Sequence, residues 1–164
     1  MVEGDEHRRI REKYEKDIDS GKFEIHSSHT KAGTLPTYLG ERHTYTQMAD
    51  VDMALVDRTT KEVKYIIEIE DKLPQPKYLI GEIIAIAMSK IIGLRTGDTL
   101  LNDVVLVVAH RPKIKGSHKD EQYRNIIQGL KDISAKLGCL RDIIIMDWDV
   151  FEARNPLKIF KNEK

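Results

Sequence analysis

The segment DVVLVVAH, from Asp103 to His110, is an almost continuous run of β-branched residues. A continuous apolar run of this length is typical of an interior strand that is covered on both faces. A second buried strand is predicted in RDIIIMDW, from Arg141 to Trp148. Between the two, apolar residues at helical spacing predict a helix over about 119–137, which Gly138 ends. Buried strands joined by a helix favour an α/β protein.

The first third of the chain is more polar. A charge-rich helix with a narrow apolar stripe is predicted over about 5–19, and a strand over 22–28. Residues 29–48 are rich in turn-forming residues, and we interpret them as a long loop or an irregular hairpin arm. Loops of this length are often functional.

An antiparallel hairpin is predicted next. Its two alternating runs, 51–56 and 63–70, flank the polar turn DRTTKE. A largely buried helix follows, with Pro76 suited to its first turn and an apolar face that extends to Ile91. The predicted order is α-β-β-β-α-β-α-β, in a single domain over residues 1–164.

Composition narrows the class of protein. Hydrophobic residues make up 40% of the 164 residues, which is enough for a core of its own. Lys and Arg balance Asp and Glu at 27 each, so a strong overall positive field is excluded. The single cysteine, Cys139, excludes an internal disulfide framework and a cysteine-based zinc site. Without an apolar leader or an apolar run of about 20 residues, we expect a cytoplasmic protein with no membrane segment.

Four carboxylates lie beside the apolar hairpin. Asp50 and Asp52 open its first run, and Glu68 and Glu70 close its second. Residues two apart in a strand share a face, and antiparallel pairing brings the start of one run to the end of the other. Asp52 and the two glutamates are therefore expected to converge, with a repulsion that a divalent cation would remove. The alternative is a solvated strand end, where Lys64 could pair with a neighbouring acid.

These residues and the element order resemble the PD-(D/E)XK nuclease superfamily, which includes type II restriction enzymes and archaeal Holliday-junction resolvases. In that family an Asp opens one strand, and Glu-x-Lys closes the next strand just before a helix. Here VDMALVD supplies Asp52, and YIIEIED supplies Glu68 and Glu70. The resemblance implies a restriction-endonuclease-like α/β fold, with a central mixed β-sheet flanked by helices. It also implies a Mg²⁺-dependent nuclease, with Mn²⁺ possible, that acts on DNA in defence or in repair and recombination.

The resemblance also implies roles for single residues. Asp52 and Glu68 would bind Mg²⁺, and Glu70 would either ligate the ion or accept a proton from the attacking water. The sequence departs from the family at Val51, where Pro is common, and at Glu70, where Lys is common. Lys72, two residues further on, is the candidate for replacing that lysine in catalysis.

Two further acids and an alternative function remain open. The N-terminal helix of the family often contributes an acid, and Glu12 lies about where that residue would fall, while Asp50 is another candidate. The absence of lysine at position 70 leaves the alternative of a catalytically inactive module that binds nucleic acid or another partner on the same fold.

Two polar segments are candidates for contacts with nucleic acid. HRPKIKGSHK follows the buried strand and contains Arg111, Lys113, Lys115 and Lys119. GERHTYTQMAD precedes the hairpin and contains Arg42, His43 and Tyr45. Such side chains contact phosphates and base edges. DNA is the expected partner and RNA is not excluded. A homodimer is possible, because members of the family often dimerise to cut two strands.

Overall fold

The computed structural model of the chain describes residues 5–18, 21–28, 34–70, 75–110, 119–134 and 138–147. Within these ranges the helices are α1 (Asp5–Asp17), α2 (Pro76–Met88) and α3 (Lys119–Ser134). The described strands are β1 (Phe23–Ser27), β2 (Leu35–Tyr38), β3 (Gln47–Val51), β4 (Met53–Asp57), β5 (Val63–Glu70), β6 (Ile91–Leu94), β7 (Gly97–Leu100), β8 (Val104–His110) and β9 (Leu140–Asp147). None of the described helices is long and apolar enough to cross a membrane.

Five of the described strands form a central mixed sheet in the order β1-β4-β5-β8-β9. β1, β4 and β5 are antiparallel neighbours, whereas β5, β8 and β9 run parallel. The predicted interior strand is β8, and every one of its residues is buried. The prediction of an α/β protein with a mixed central sheet and helices is confirmed.

Apolar side chains cover both faces of the central sheet. Tyr14 of α1 belongs to the same buried cluster as Ile67 of β5, on one face. Ile83 of α2 belongs to the same cluster as Ile66, on the opposite face. Because successive residues of a strand point to opposite faces, Glu68 points to the side of α2.

Four of the described strands form a second, antiparallel sheet in the order β3-β2-β6-β7. This sheet was not predicted, although the interpretation of residues 29–48 as an irregular hairpin arm agrees with the pairing of β2 and β3. The predicted helix is too long, because α2 ends at Met88 and Ile91 begins β6. The N–H of Ser89 caps the helix by donating to Ile86 O at 3.0 Å, and its hydroxyl contacts Thr37 Oγ1 of β2 at 2.9 Å.

The first run of the predicted hairpin divides at Asp52. Residues up to Val51 belong to β3 of the second sheet, and Met53 begins β4 of the central sheet. Asp50 and Asp52 therefore do not share one strand, which corrects the prediction. The chain bends at Asp52 because it passes there from one sheet to the other, and the predicted antiparallel pairing of β4 with β5 is confirmed.

Candidate functional site

Asp52 lies at the crossing between the two sheets, and its carboxylate is held by backbone and side chains. Met53 pairs with Ile67, so Asp52 comes next to Glu68 across the antiparallel pair. Asp52 Oδ2 accepts a hydrogen bond from the N–H of Ile69 at 2.8 Å. Asp52 Oδ1 lies 3.4 Å from Ser28 Oγ. These contacts fix the carboxylate at the end of β5.

Glu68 is buried within the sheet, with only 4% of its surface exposed. Its carboxyl group is hydrogen-bonded to that of Asp52. Burial raises the pKa of Glu68 well above its usual range, and the negative charges of Asp52, Glu82 and Glu70 raise it further. One oxygen of this carboxyl group, Glu68 Oε1, is buried and has no hydrogen-bond partner among the described residues.

Glu82 of α2 brings a fourth acid to the same place. Its carboxyl group is hydrogen-bonded to that of Glu70. Burial, followed by the charge of Glu70, raises the pKa of Glu82 to about 8. Glu82 was not among the predicted site residues, and its signal in the sequence is a single acid inside the apolar helix YLIGEIIAIAMSKII. Protonated Glu82 can donate its hydrogen bond to Glu70 at neutral pH.

Helix α1 contributes a histidine to the site. His7 Nε2 lies 3.4 Å from Asp52 Oδ1, and both side chains are nearly buried. Further along the helix, Glu15 accepts hydrogen bonds from Ser27 Oγ and, at 2.8 Å, from Arg11. These bonds anchor α1 beside the end of β1. No local pattern distinguishes His7 from the other charged residues of DEHRRIREKYEKD.

A row of polar groups lies at the carboxyl edge of the parallel strands. Glu70 is the register partner of His110, and His110 is the partner of Asp147. His110 is buried, and its Nδ1 lies 3.3 Å from Asp147 Oδ1. In open α/β sheets, ligands bind at this edge of the strands. The acid cluster thus adjoins the edge where a ligand is expected.

The structure brings together some of the predicted site residues and separates others. Asp52, Glu68 and Glu70 lie in one cluster. Glu12 is exposed on α1 and does not join them. Asp50 is exposed on β3, where it accepts a hydrogen bond from Gln47. The remaining predicted residues of this group and of the basic segment, Lys72, Arg111, Lys113 and Lys115, lie outside the described residues, and Lys119 is the first residue of α3.

The acids of the cluster meet in pairs. Asp52 is bonded to Glu68, and Glu70 is bonded to Glu82. Within the part of the chain that the structure describes, no three His, Cys, Asp or Glu residues are arranged to hold a metal ion together. When two carboxyl groups meet without a cation between them, they are expected to share a proton. Burial is the main cause of the raised pKa values of Glu68 and Glu82, and the charges and hydrogen bonds of the neighbouring acids add to it.

The predicted residues Arg42, His43 and Tyr45 lie together between β2 and β3. Arg42 pairs with Asp98 of β7 at 3.2 Å. The rings of His43 and Tyr45 are stacked, with centroids 5.1 Å apart and an interplanar angle of 8°. Tyr45 is 85% exposed. This group is connected through β3 to Asp52.

Comparisons of the chain with protein-family models, with curated proteins and with solved structures found no match in any of the three. Function is therefore inferred from the residues and their geometry.

Proposed function

We propose that this protein is a divalent-cation-dependent nuclease acting on DNA, with a restriction-endonuclease-like fold. The observation that supports this most directly is Glu68. A buried carboxyl lies directly across the strand pair from Asp52, with one oxygen that has no hydrogen-bond partner among the described residues. Unsatisfied buried polar atoms are rare in folded proteins, and they call for an explanation. A ligand that binds to this oxygen would provide one.

The donor set fits Mg²⁺, and Mn²⁺ as its substitute. All four acids of the cluster offer carboxylate oxygens, which are the ligands that hard cations prefer. Asp52 and Glu68 would hold the ion, and Glu70 would stay outside the ligand set as the base for the attacking water. Binding would displace the shared protons, and at least one of the two acid pairs must then open, because the pairs as they stand do not form a three-ligand group. When bound, such an ion lowers the pKa of a water and polarises a phosphate.

The chain's own residues have separate tasks in this proposal. The N–H of Ile69 orients the Asp52 carboxylate through its hydrogen bond, and His7 Nε2 lies 3.4 Å from the other carboxylate oxygen. Glu82, which is protonated at neutral pH, keeps Glu70 in place through their hydrogen bond. Glu70 is then positioned to accept the proton of an attacking water, as a general base must be. At position 70, where lysine is common in the family, this chain has Glu70, which is paired with Glu82.

The test combines cleavage with direct measurement of ion binding. Supercoiled plasmid, single-stranded DNA and branched DNA are incubated with the protein in Mg²⁺, in Mn²⁺ and in EDTA. Glu68→Gln and Asp52→Asn should reduce cleavage by more than about 100-fold, since even outer-shell partners of metal sites are worth about 10- to 100-fold. Glu62→Gln is the matched control, because Glu62 is an exposed acid at the opposite end of the same hairpin.

Calorimetric titration with Mn²⁺ supplies a measurement that does not depend on activity. Wild-type protein and Glu62→Gln should bind the ion, and Glu68→Gln should not. Cleavage that persists in EDTA, or that survives Glu68→Gln, would contradict the proposal. A chain that binds DNA but neither binds Mn²⁺ nor cleaves would instead be the inactive nucleic-acid-binding module.

A further inference from the structure

The segment from Leu39 to Gln47 is held rigidly between β2 and β3. Thr46 Oγ1 accepts a hydrogen bond from the N–H of His43 at 3.1 Å, and donates one to Glu41 O at 2.6 Å. The N–H of Leu39 donates to Thr46 O at 2.9 Å. These bonds fix the 3₁₀ turn Thr44–Thr46 that carries Tyr45. The backbone that carries Tyr45 is therefore already ordered before a ligand binds.

The turn presents an exposed aromatic surface. Tyr45 is 85% exposed, and its ring lies parallel to that of His43. A single exposed tyrosine is common on protein surfaces and needs no explanation. An ordered stack of two rings is different, because it offers a flat π-surface to a ligand. A cavity of about 330 Å³ adjoins this stack and is lined by Tyr38, Arg42, His43, Thr44 and Gln47. Its lining offers hydrogen-bond donors beside the aromatic rings.

The charges around the turn argue against a clamp for duplex phosphates. Arg42 is paired with Asp98 at 3.2 Å, and His43 Nε2 lies 3.6 Å from the carboxylate of Glu41. The positive charge of Arg42 is therefore balanced by Asp98 of β7, and Glu41 adds a negative charge within the segment. Binding of the duplex backbone depends on uncompensated Lys and Arg, whereas stacking on an aromatic ring needs no net charge.

We propose that His43 and Tyr45 form a stacking platform for an unpaired nucleobase, so that the DNA substrate is single-stranded or contains unpaired nucleotides at a branch or flap. This inference rests on the proposed nuclease function for the identity of the ligand. Every nucleobase has a π-face, and stacking on aromatic side chains is the common means by which proteins hold unpaired bases. The donors of the adjoining cavity would contact the edge of the stacked base.

The β-strand β3 connects the platform to the acid cluster. β3 begins at Gln47, directly after the platform, and ends at Val51, directly before Asp52. Its five residues span about 17 Å at about 3.3 Å per residue. That distance corresponds to about five nucleotides of stacked strand. β3 also contacts α2, which carries Glu82. A single DNA strand of about this length would therefore reach from the His43–Tyr45 platform to the acid cluster.

The test measures binding in EDTA, so that it does not depend on cleavage. The probes are a single-stranded oligonucleotide, a flap with unpaired bases and a blunt duplex of the same sequence, each with 2-aminopurine at an unpaired or matched position. Wild-type protein should quench 2-aminopurine in the single strand and in the flap, because stacking quenches this base. Tyr45→Ala should weaken binding to both by about 5- to 150-fold, the range for the loss of one stacked base.

Two variants complete the design. Tyr45→Phe keeps the ring and should retain wild-type affinity and quenching. Glu62→Gln is the control, because Glu62 is an exposed residue at the turn end of the β4–β5 hairpin, at the opposite end from the acid cluster. The inference is overturned if Tyr45→Ala leaves single-strand affinity within about twofold of wild type, if it weakens duplex binding equally, or if wild type does not quench. Metal-dependent cleavage can succeed or fail independently of each of these results.

Discussion

Glu68 occupies a position where an apolar residue would pack better. Its neighbours in β5, Ile67 and Ile69, are buried, and Glu68 itself is buried beside three other acids. Ionisation of a carboxyl group in such a place is opposed by the loss of hydration and by repulsion. Residues that reduce stability in this way are concentrated at functional sites, where chemistry rather than packing determines the side chain.

The free energy of unfolding in EDTA is expected to fall as the pH rises from about 5 to about 8. The pKa of Glu82 is raised from 4.5 to about 8, so between these values the folded chain keeps a proton that the unfolded chain has released. The stabilisation is fully present below pH 4.5 and is lost as the pH rises through the folded pKa. For each proton that only the folded chain retains, the free energy of unfolding falls by up to about 1.4 kcal/mol as the pH rises by one unit. Urea titration at a series of pH values measures the slope.

Substitution identifies the groups that cause this slope. Glu82→Gln and Glu68→Gln should flatten the profile, because an amide does not titrate. Glu62→Gln should leave the slope unchanged, since Glu62 is exposed and its pKa is lowered by the hydrogen bond from Lys64. A wild-type profile that is flat or rises over this range would contradict the assignment of raised pKa values.

At the scale of elements, the C-terminal end of α2 holds the start of β9 in place. The N–H of Cys139 donates to Ala87 O at 3.0 Å, and Cys139 Sγ donates to Ile86 O at 3.3 Å. Burial raises the pKa of the Cys139 thiol to about 11, in agreement with a structural rather than a reactive cysteine. Gly138 permits this approach, because glycine has no side chain to place against the helix and its φ of +82° is one that glycine adopts freely.

Gly138→Ala is expected to lower the free energy of unfolding by at least about 2 kcal/mol. A Cβ at this position would lie 1.7 Å from Ala87 O, so the backbone must move, and the positive φ adds strain for any residue with a side chain. Gly129→Ala is the control. Gly129 lies within α3, and a Cβ added there would have no neighbouring atom within 4 Å, so alanine should stabilise the protein by about 0.5–1 kcal/mol. Urea titration compares the two, and equal effects would contradict the role of the close approach.

At the scale of the whole molecule, the two sheets share one core. Leu35 and Ile92 of the second sheet belong to the same buried cluster as Ile66 and Val108 of the central sheet, with Ile83 of α2 among them. The buried hydrogen bond between Ser89 and Thr37 joins the end of α2 to β2. A shared core of this kind predicts that the sheets unfold together.

Unfolding in urea should therefore show one transition for both sheets. Amide signals of Tyr38 in the second sheet and Val107 in the central sheet should disappear at the same urea concentration. Ser89→Ala should shift both signals equally and lower the free energy of unfolding by about 1–2 kcal/mol, because it removes the donor to a buried hydroxyl. Earlier loss of the Tyr38 signal would show that the second sheet unfolds separately.

Several elements could be predicted from sequence because their signals are local. The apolar run of β8, the alternation in β5 and the helical spacing of α1 each reflect the face that one segment buries. The division at Asp52 and the switch from α2 to β6 have no such signal. Ile91 and Ile92 continue the apolar face of the helix in sequence, and their pairing with β2 on one side and β7 on the other makes them a strand.

The sequence by itself determined which segments are apolar on one face or on both, and it placed Asp52, Glu68 and Glu70 next to the most apolar hairpin. The tertiary structure decided the rest: it added Glu82 and His7 to the acids, and it left Glu12 and Asp50 exposed. The physical reason is the range of the interactions. Periodicity within a strand or helix depends on neighbouring residues, whereas contacts between α1, α2 and β5 depend on sheet order and on the packing of side chains distant in sequence.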